Sequence, residues 1–145
     1  MAGIHFSFDN FEQLMRLNIG IADRLDENRA ESLTLLYCDF SNIDKDVIKN
    51  SLEVTLRASD SIVNHEGDYF FVLPYTDKYG AEIVKTMFDD FFAQYLNAFL
   101  LSYPVDGEDA KAIFENMQDS VATFFKKDLK CLDRFVQKDT PEETL

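Results

Sequence analysis

The residues that build most recognisable reaction centres are scarce in this chain. Of 145 residues, two are histidine, two are cysteine and none is tryptophan. With only His5 and His65 available, no Ser-His-Asp or Cys-His arrangement can be assembled. His65, at a predicted strand end, reads as structural. Neither HExxH nor CxxC occurs, so the common zinc patterns are missing. GxGxxG and GxxxxGKS/T are missing too, which removes both common phosphate loops. Cys38 and Cys131 are too few and too far apart for a disulfide framework. The expectation is reduced thiols in a cytoplasmic protein, with Cys38 as a small buried hydrophobe. There is no internal repeat, low-complexity tract or Pro/Gly linker. The most apolar stretch, Phe88 to Tyr103, is broken by Asp89, Asp90, Gln94 and Asn97, so it cannot span a bilayer. The first basic residue is Arg16 and no apolar run follows a charged start, which argues against a signal peptide.

Positive charge is scarce as well. Fourteen Lys and Arg stand against 27 Asp and Glu, a net charge of −13. Such a chain repels polyanions, so neither nucleic acid nor an anionic membrane is expected as a partner. A small anionic ligand stays compatible, because one local arginine can override the average field.

What the chain has is apolar material: 46% hydrophobic residues, with 14 Phe and 6 Tyr. One domain of this length buries roughly 68–70% of the surface of its unfolded form. Residues 1–32 read as an N-terminal helix packed on the domain. Asp9 and Glu12 have capping-box spacing, and Phe11, Leu14, Leu17, Ile21 and Leu25 follow on one stripe. The polar run Asp26–Ser32 ends it. Leu33–Phe40 is short and continuously apolar, as a strand buried on both faces requires. Ser41 and Asp44 open a helix with Val47, Ile48, Leu52 and Leu56 on its buried side. Asp60–His65 and Tyr69–Leu73 flank the turn Glu66-Gly67-Asp68 as a hairpin. Thr76 opens a long helix with Tyr79, Ile83, Met87, Phe91 and Tyr95 spaced four apart. Most of that stripe is expected to face the core. Asn97–Ser102 is a further strand. Asp106 and Asp109 cap a helix carrying Ile113, Phe114, Met117, Val121 and Phe124. Residues 128–136 read as a short helix or an edge strand, and 137–145 as a flexible acidic tail. Helices interleave with strands around a tight hairpin. This predicts an α/β chain of the α+β kind, with a mixed, mainly antiparallel central sheet flanked by helices.

Two acids stand out by placement. Asp39 ends the first buried strand and Asp68 sits at the hairpin tip. If those strands are neighbours, the carboxylates converge at one sheet edge, where they could share a Mg²⁺ that keeps water or phosphate oxygens. The alternative is two solvated acids at strand ends. A third motif is Arg57-Ala-Ser-Asp60. A guanidinium can bracket a phosphate or a guanine edge, and a carboxylate can accept from guanine N–H groups. The alternative there is a helix end, with Arg57 near the C-terminus.

Residues 33–136 resemble a degenerate GGDEF domain, the diguanylate cyclase family. LTLLYCDFSNID resembles the family's first strand and aspartate turn. Glu66-Gly67-Asp68-Tyr69-Phe70 stands where Gly-Gly-Asp-Glu-Phe would stand, and SYPVDGEDA resembles the turn before the last helix. The resemblance implies a nucleotidyl cyclase-like fold and a family that makes cyclic di-GMP from two GTP. It implies metal-binding roles for Asp39 and Asp68, close backbone approach to phosphate at Gly67, and a core role for Phe70. Arg57 and Asp60, with five residues (Ser61 to His65) between the motif and Glu66, match the family's product-binding RxxD. The departures imply lost turnover. Glu66 puts a negative side chain where a triphosphate would pass. Tyr69 removes an acid, Ser41 replaces another, and the guanine-reading segment after the first turn is deleted. The expectation is a non-catalytic signalling domain that needs no cofactor and works by protein contact, with cyclic di-GMP as a candidate ligand at Arg57 and Asp60. A homodimer is among the assemblies this allows. The alternatives are a residual Mg²⁺-dependent nucleotide-binding enzyme using Asp39 and Asp68, and a ligand-free scaffold.

Overall fold

The computed structural model describes residues 3–25 and 31–136. Its elements are β1 (Ile4–His5), α1 (Phe11–Leu25), β2 (Glu31–Asp39), α2 (Lys45–Thr55), β3 (Ser61–His65), β4 (Asp68–Pro74), α3 (Lys78–Phe92), β5 (Ala98–Pro104), α4 (Ala110–Phe125) and α5 (Asp133–Val136). Short 3-10 turns precede α1 and α5. The five strands form one sheet in the order β1-β3-β4-β2-β5. β1 runs parallel to β3, and every other pairing is antiparallel. From β2 to β5 the chain is β-α-β-β-α-β, and each helical crossover skips one strand, which is the split βαβ arrangement. The expected mixed, mainly antiparallel sheet flanked by helices is therefore present.

The sheet separates two cores. On one side Leu33, Leu35, Tyr37, Phe70 and Val72 pack under α1, α4 and α5. On the other, Leu36, Cys38, Ile62, Phe71 and Leu73 pack under α2 and α3. Alternate residues of β2 point to opposite faces and both faces are covered, which is why its sequence is continuously apolar. Phe11, Phe70, Phe114 and Phe135 form an aromatic knot in the first core.

Side-chain oxygens of Asp44, Asp77 and Asp109 accept backbone N–H groups at the starts of α2, α3 and α4. α3 thus starts after Asp77 rather than at Thr76. Asp9 does not cap α1; Ser7 caps the preceding turn, and Asp9 instead pairs with Arg134 at 2.8 Å.

Several expectations need correction. The segment 1–32 is more than a helix, because Ile4 and His5 add an edge strand and β2 begins at Glu31. Two residues are too few for an alternation pattern to register. Leu17 and Ile21 are exposed, and the buried face of α1 is Phe11, Leu14, Met15, Ile19 and Ala22. Val47 of α2 and Phe124 of α4 are exposed too. Tyr79, Ile83, Met87, Phe91 and Tyr95 all face solvent, while Ala81, Lys85 and Phe88 are buried. Within 128–136, Lys130–Leu132 form a 3-10 turn and Asp133–Val136 a short helix, with Leu129, Leu132 and Phe135 buried. The side chain of Leu25, the polar stretch 26–30 and the acidic tail 137–145 lie outside the described residues.

Candidate functional site

Register brings the two strand-end acids together. Asp39 and Asp68 are direct partners across the β2–β4 ladder. Like charges opposite each other in a sheet repel, and a lysine compensates here. Lys127, just past α4, places its Nζ 2.6 Å from Asp68 Oδ1 and 3.2 Å from Asp39 Oδ2. Tyr37 donates its hydroxyl to Asp68 at 2.7 Å. The backbone N–H of Ser41 donates to Asp39 at 2.9 Å, and its hydroxyl donates to the same oxygen. Burial pushes the Asp39 carboxyl up, but the Ser41 and Lys127 hydrogen bonds outweigh it, and the net value lies below the ordinary carboxylate range. Burial likewise disfavours the charged form of Lys127, yet Asp68 and Asp39 hold its value above that of a free lysine. Burial, and then the Asp68 hydrogen bond, raise the Tyr37 phenol well above its usual value.

This donor set does not fit a Mg²⁺ as it stands. The ammonium sits on both carboxylates, so a divalent cation would have to displace it. Among the described residues no group of three or more His, Cys, Asp or Glu side chains converges.

The hairpin turn departs from the expected use of its glycine. Glu66, not Gly67, has the left-handed backbone (φ 54°). Gly67 is small for a different reason: a Cβ there would lie 2.6 Å from Ser41 Cα and 2.9 Å from Ser41 N. The backbone of the β2–α2 loop lies against Gly67, and Phe40 N–H donates to the Gly67 carbonyl at 2.8 Å. One side of Gly67 is thus occupied by the Ser41 backbone, and Ser41, Glu66 and Gly67 also border an open pocket with Lys45, Asn64 and Tyr69. Tyr69 packs on Phe40, with ring centroids 4.9 Å apart, and Phe70 is fully buried.

The second cluster lies at the other end of β4, on the order of 20 Å away by strand rise. Asp60 is 2% exposed and Arg57 53%. Asp60 Oδ2 accepts the Arg57 backbone N–H at 2.8 Å, and Oδ1 accepts Nη2–H at 2.7 Å. Nη2 also donates to the Pro74 carbonyl at 3.0 Å and Thr76 Oγ1 at 3.1 Å. Asp60 is therefore turned inward as a positioning residue, and its carboxylate presents no open edge. Nη1 makes no hydrogen bond among the described residues, and Arg57 and Asp60 line an open pocket with Leu73, Tyr75, Gly80 and Val84. Of the two lysines on α3, Lys85 is buried, bonded to Asp89 at 2.5 Å and stacked on the Tyr95 ring. Lys78 pairs with Asp106 at 2.7 Å.

The structure thus brings Asp39 together with Asp68, and Arg57 with Asp60, and keeps the two pairs apart. Sequence reasoning missed Lys127 and Tyr37. The Lys126-Lys127 pair in so acidic a chain is the one signal that pointed to a compensating cation. No protein-family model matches the chain, and no curated protein does. No helix among the described residues is long and apolar enough to cross a membrane.

Proposed function

We propose that this chain is a non-catalytic signalling domain of degenerate diguanylate-cyclase (GGDEF) type that acts by contact with another protein. The observation that carries this reading is the Lys127 ammonium seated on both strand-end carboxylates. Those two acids are the positions the resemblance assigns to metal, and here an internal cation bridges them. Ser41 packed against Gly67 supports the same reading, because it keeps that side of the Gly67 backbone from approaching a phosphate. The split βαβ order agrees with a cyclase-type fold.

Cyclic di-GMP is the candidate ligand at Arg57, through the free Nη1 edge beside the pocket. A residual Mg²⁺-dependent enzyme is the competing reading, favoured by the direct register of Asp39 with Asp68. Incubation of the purified chain with GTP and Mg²⁺ or Mn²⁺ separates the two. The expected result is no product above a boiled control, and turnover overturns the non-catalytic assignment. Calorimetric titration with cyclic di-GMP tests the ligand. Arg57→Ala is expected to weaken any binding at least tenfold, and unchanged affinity places the site elsewhere.

A further inference from the structure

β5 is an edge strand, and its outer rim is open over a short window. Residues 97, 99, 101 and 103 turn their main-chain groups toward β2, a register fixed by the Asp39 N–H donating to the Asn97 carbonyl at 2.9 Å. The alternate residues turn theirs outward. An aspartate closes Ser102: its N–H donates to Asp106 Oδ2 at 2.8 Å, and its carbonyl accepts the Asp106 backbone N–H at 2.8 Å. Before the strand, the Leu96 N–H donates to Asp89 Oδ1 at 2.9 Å. Between these closures, the N–H and C=O groups of Ala98 and Leu100 have no hydrogen-bond partner among the described residues. Such a row is a template for a further strand.

We propose that this rim is the seam of a two-fold dimer in which β5 pairs antiparallel with β5 of a second copy of this chain. Asp89 and Asp106 close the residues three before and three after Phe99, so the open window is centred on Phe99. An antiparallel two-fold about Phe99 sets Ala98 of each copy opposite Leu100 of the other. The open N–H groups of each copy then meet the open carbonyls of the other, and none is left over. Leu96 falls opposite Ser102 of the second copy, where both amides are already satisfied. The aspartates at these ends each hold their own lysine, Asp89 with Lys85 at 2.5 Å and Asp106 with Lys78 at 2.7 Å. A longer strand would run into both aspartates, so the rim selects a segment as short as its own window.

Phe99 meets Phe99 across the axis, in the closely spaced kind of cross-strand pair. Its ring stacks on Phe124 at 5.5 Å, and Phe124 is 65% exposed. The axis therefore gathers two phenyl rings from each copy. Residues 97–101 include no ionisable side chain, so the seam buries no charge. At the opposite edge of the sheet β1 is two residues long, too short to take a further strand, and the pairing closes at two. The contact falls short of the roughly 800 Å² per partner of a standard interface, so the dimer belongs to the weak, transient class. The seam uses only β5, the end of α4 and the two aspartates, so it stands whether or not the chain turns over GTP.

The test is sedimentation equilibrium of the full chain from low to high micromolar concentration, at low and high NaCl. The weight-average mass is expected to climb from 16.8 kDa toward twice that value, more readily at high NaCl, because two chains of net charge −13 repel and the seam holds no ion pair. Amide hydrogen exchange at Ala98 and Leu100 should slow as concentration rises, while Leu96 and Ser102 are protected throughout. Ala98→Pro removes an outward N–H that the monomer does not use, a change edge strands tolerate. Phe124→Glu alters a side chain that is exposed in the monomer. Each is expected to weaken association at least tenfold, with unchanged circular dichroism and Tm. A mass that stays at 16.8 kDa at both salt concentrations overturns the proposal. Growth beyond two copies overturns it, as does association that loosens with salt. So does a dimer whose Ala98 and Leu100 amides exchange as fast as those of the monomer.

Discussion

The two ends of β4 hold two ion pairs built on opposite plans. At the Asp68 end, two acids from neighbouring strands are drawn onto a lysine 59 and 88 residues further along the chain, and nearby hydroxyls occupy remaining lone pairs. At the Pro74 end, an arginine and an aspartate three residues apart satisfy each other, and the arginine keeps one edge in solvent. The first cluster is closed by tertiary structure and the second is open by local structure. An ion cluster bridged from within by its own lysine serves the fold. One with a free guanidinium edge beside a pocket can still serve a ligand.

The largest expected effect concerns the closed end. Gly67→Ala drives a Cβ into the Ser41 backbone. It should cost about 3 kcal/mol, the upper end for overpacking, read as a lower urea midpoint. Tolerance of alanine there would mean the β2–α2 loop does not lie against the hairpin.

Next comes Lys127→Ala, which strands two carboxylates face to face at a cost of about 2 kcal/mol. The deficit should shrink near pH 4, about where a carboxylate begins to protonate and the repulsion ends. A cost independent of pH would mean the acids do not interact.

Wild-type stability should show both limbs of this cluster. The Asp39 value is lowered in the fold, so its contribution is present above the ordinary carboxylate pKa and lost as pH falls through the folded value. The Lys127 value is raised, so its contribution is complete below the ordinary lysine pKa and lost as pH rises through the folded value. In Lys127→Ala the alkaline limb should vanish from the denaturation midpoints, while the acidic limb should shrink without disappearing, because the Ser41 hydrogen bonds to Asp39 remain.

At the open end, Arg57→Lys keeps the charge and loses the fork that spans Asp60, Pro74 and Thr76. It should cost about 1 kcal/mol, less than Lys127→Ala; an equal or larger cost erases the distinction between the two ends. The smallest effect is a gain. Glu66→Gly relieves a left-handed backbone and should raise stability by less than about 1 kcal/mol, since glycine's extra chain entropy offsets part of the relief.

The sequence by itself determined the local features. The hairpin follows from glycine between two apolar runs. The helix starts at Asp44, near Asp77 and at Asp109 follow from side chains that can accept backbone N–H groups. The Arg57–Asp60 pair follows from a three-residue spacing across a tight turn. Tertiary structure alone decided which stripe of an amphipathic helix faces inward. α3 carries apolar residues on two faces, and periodicity reports that a face is apolar, not which one meets the sheet. It alone placed Lys127 on Asp39 and Asp68, because only the docking of α4 and the β2–β4 register bring those residues within hydrogen-bond reach, and charge compensation depends on distance in space, not along the chain.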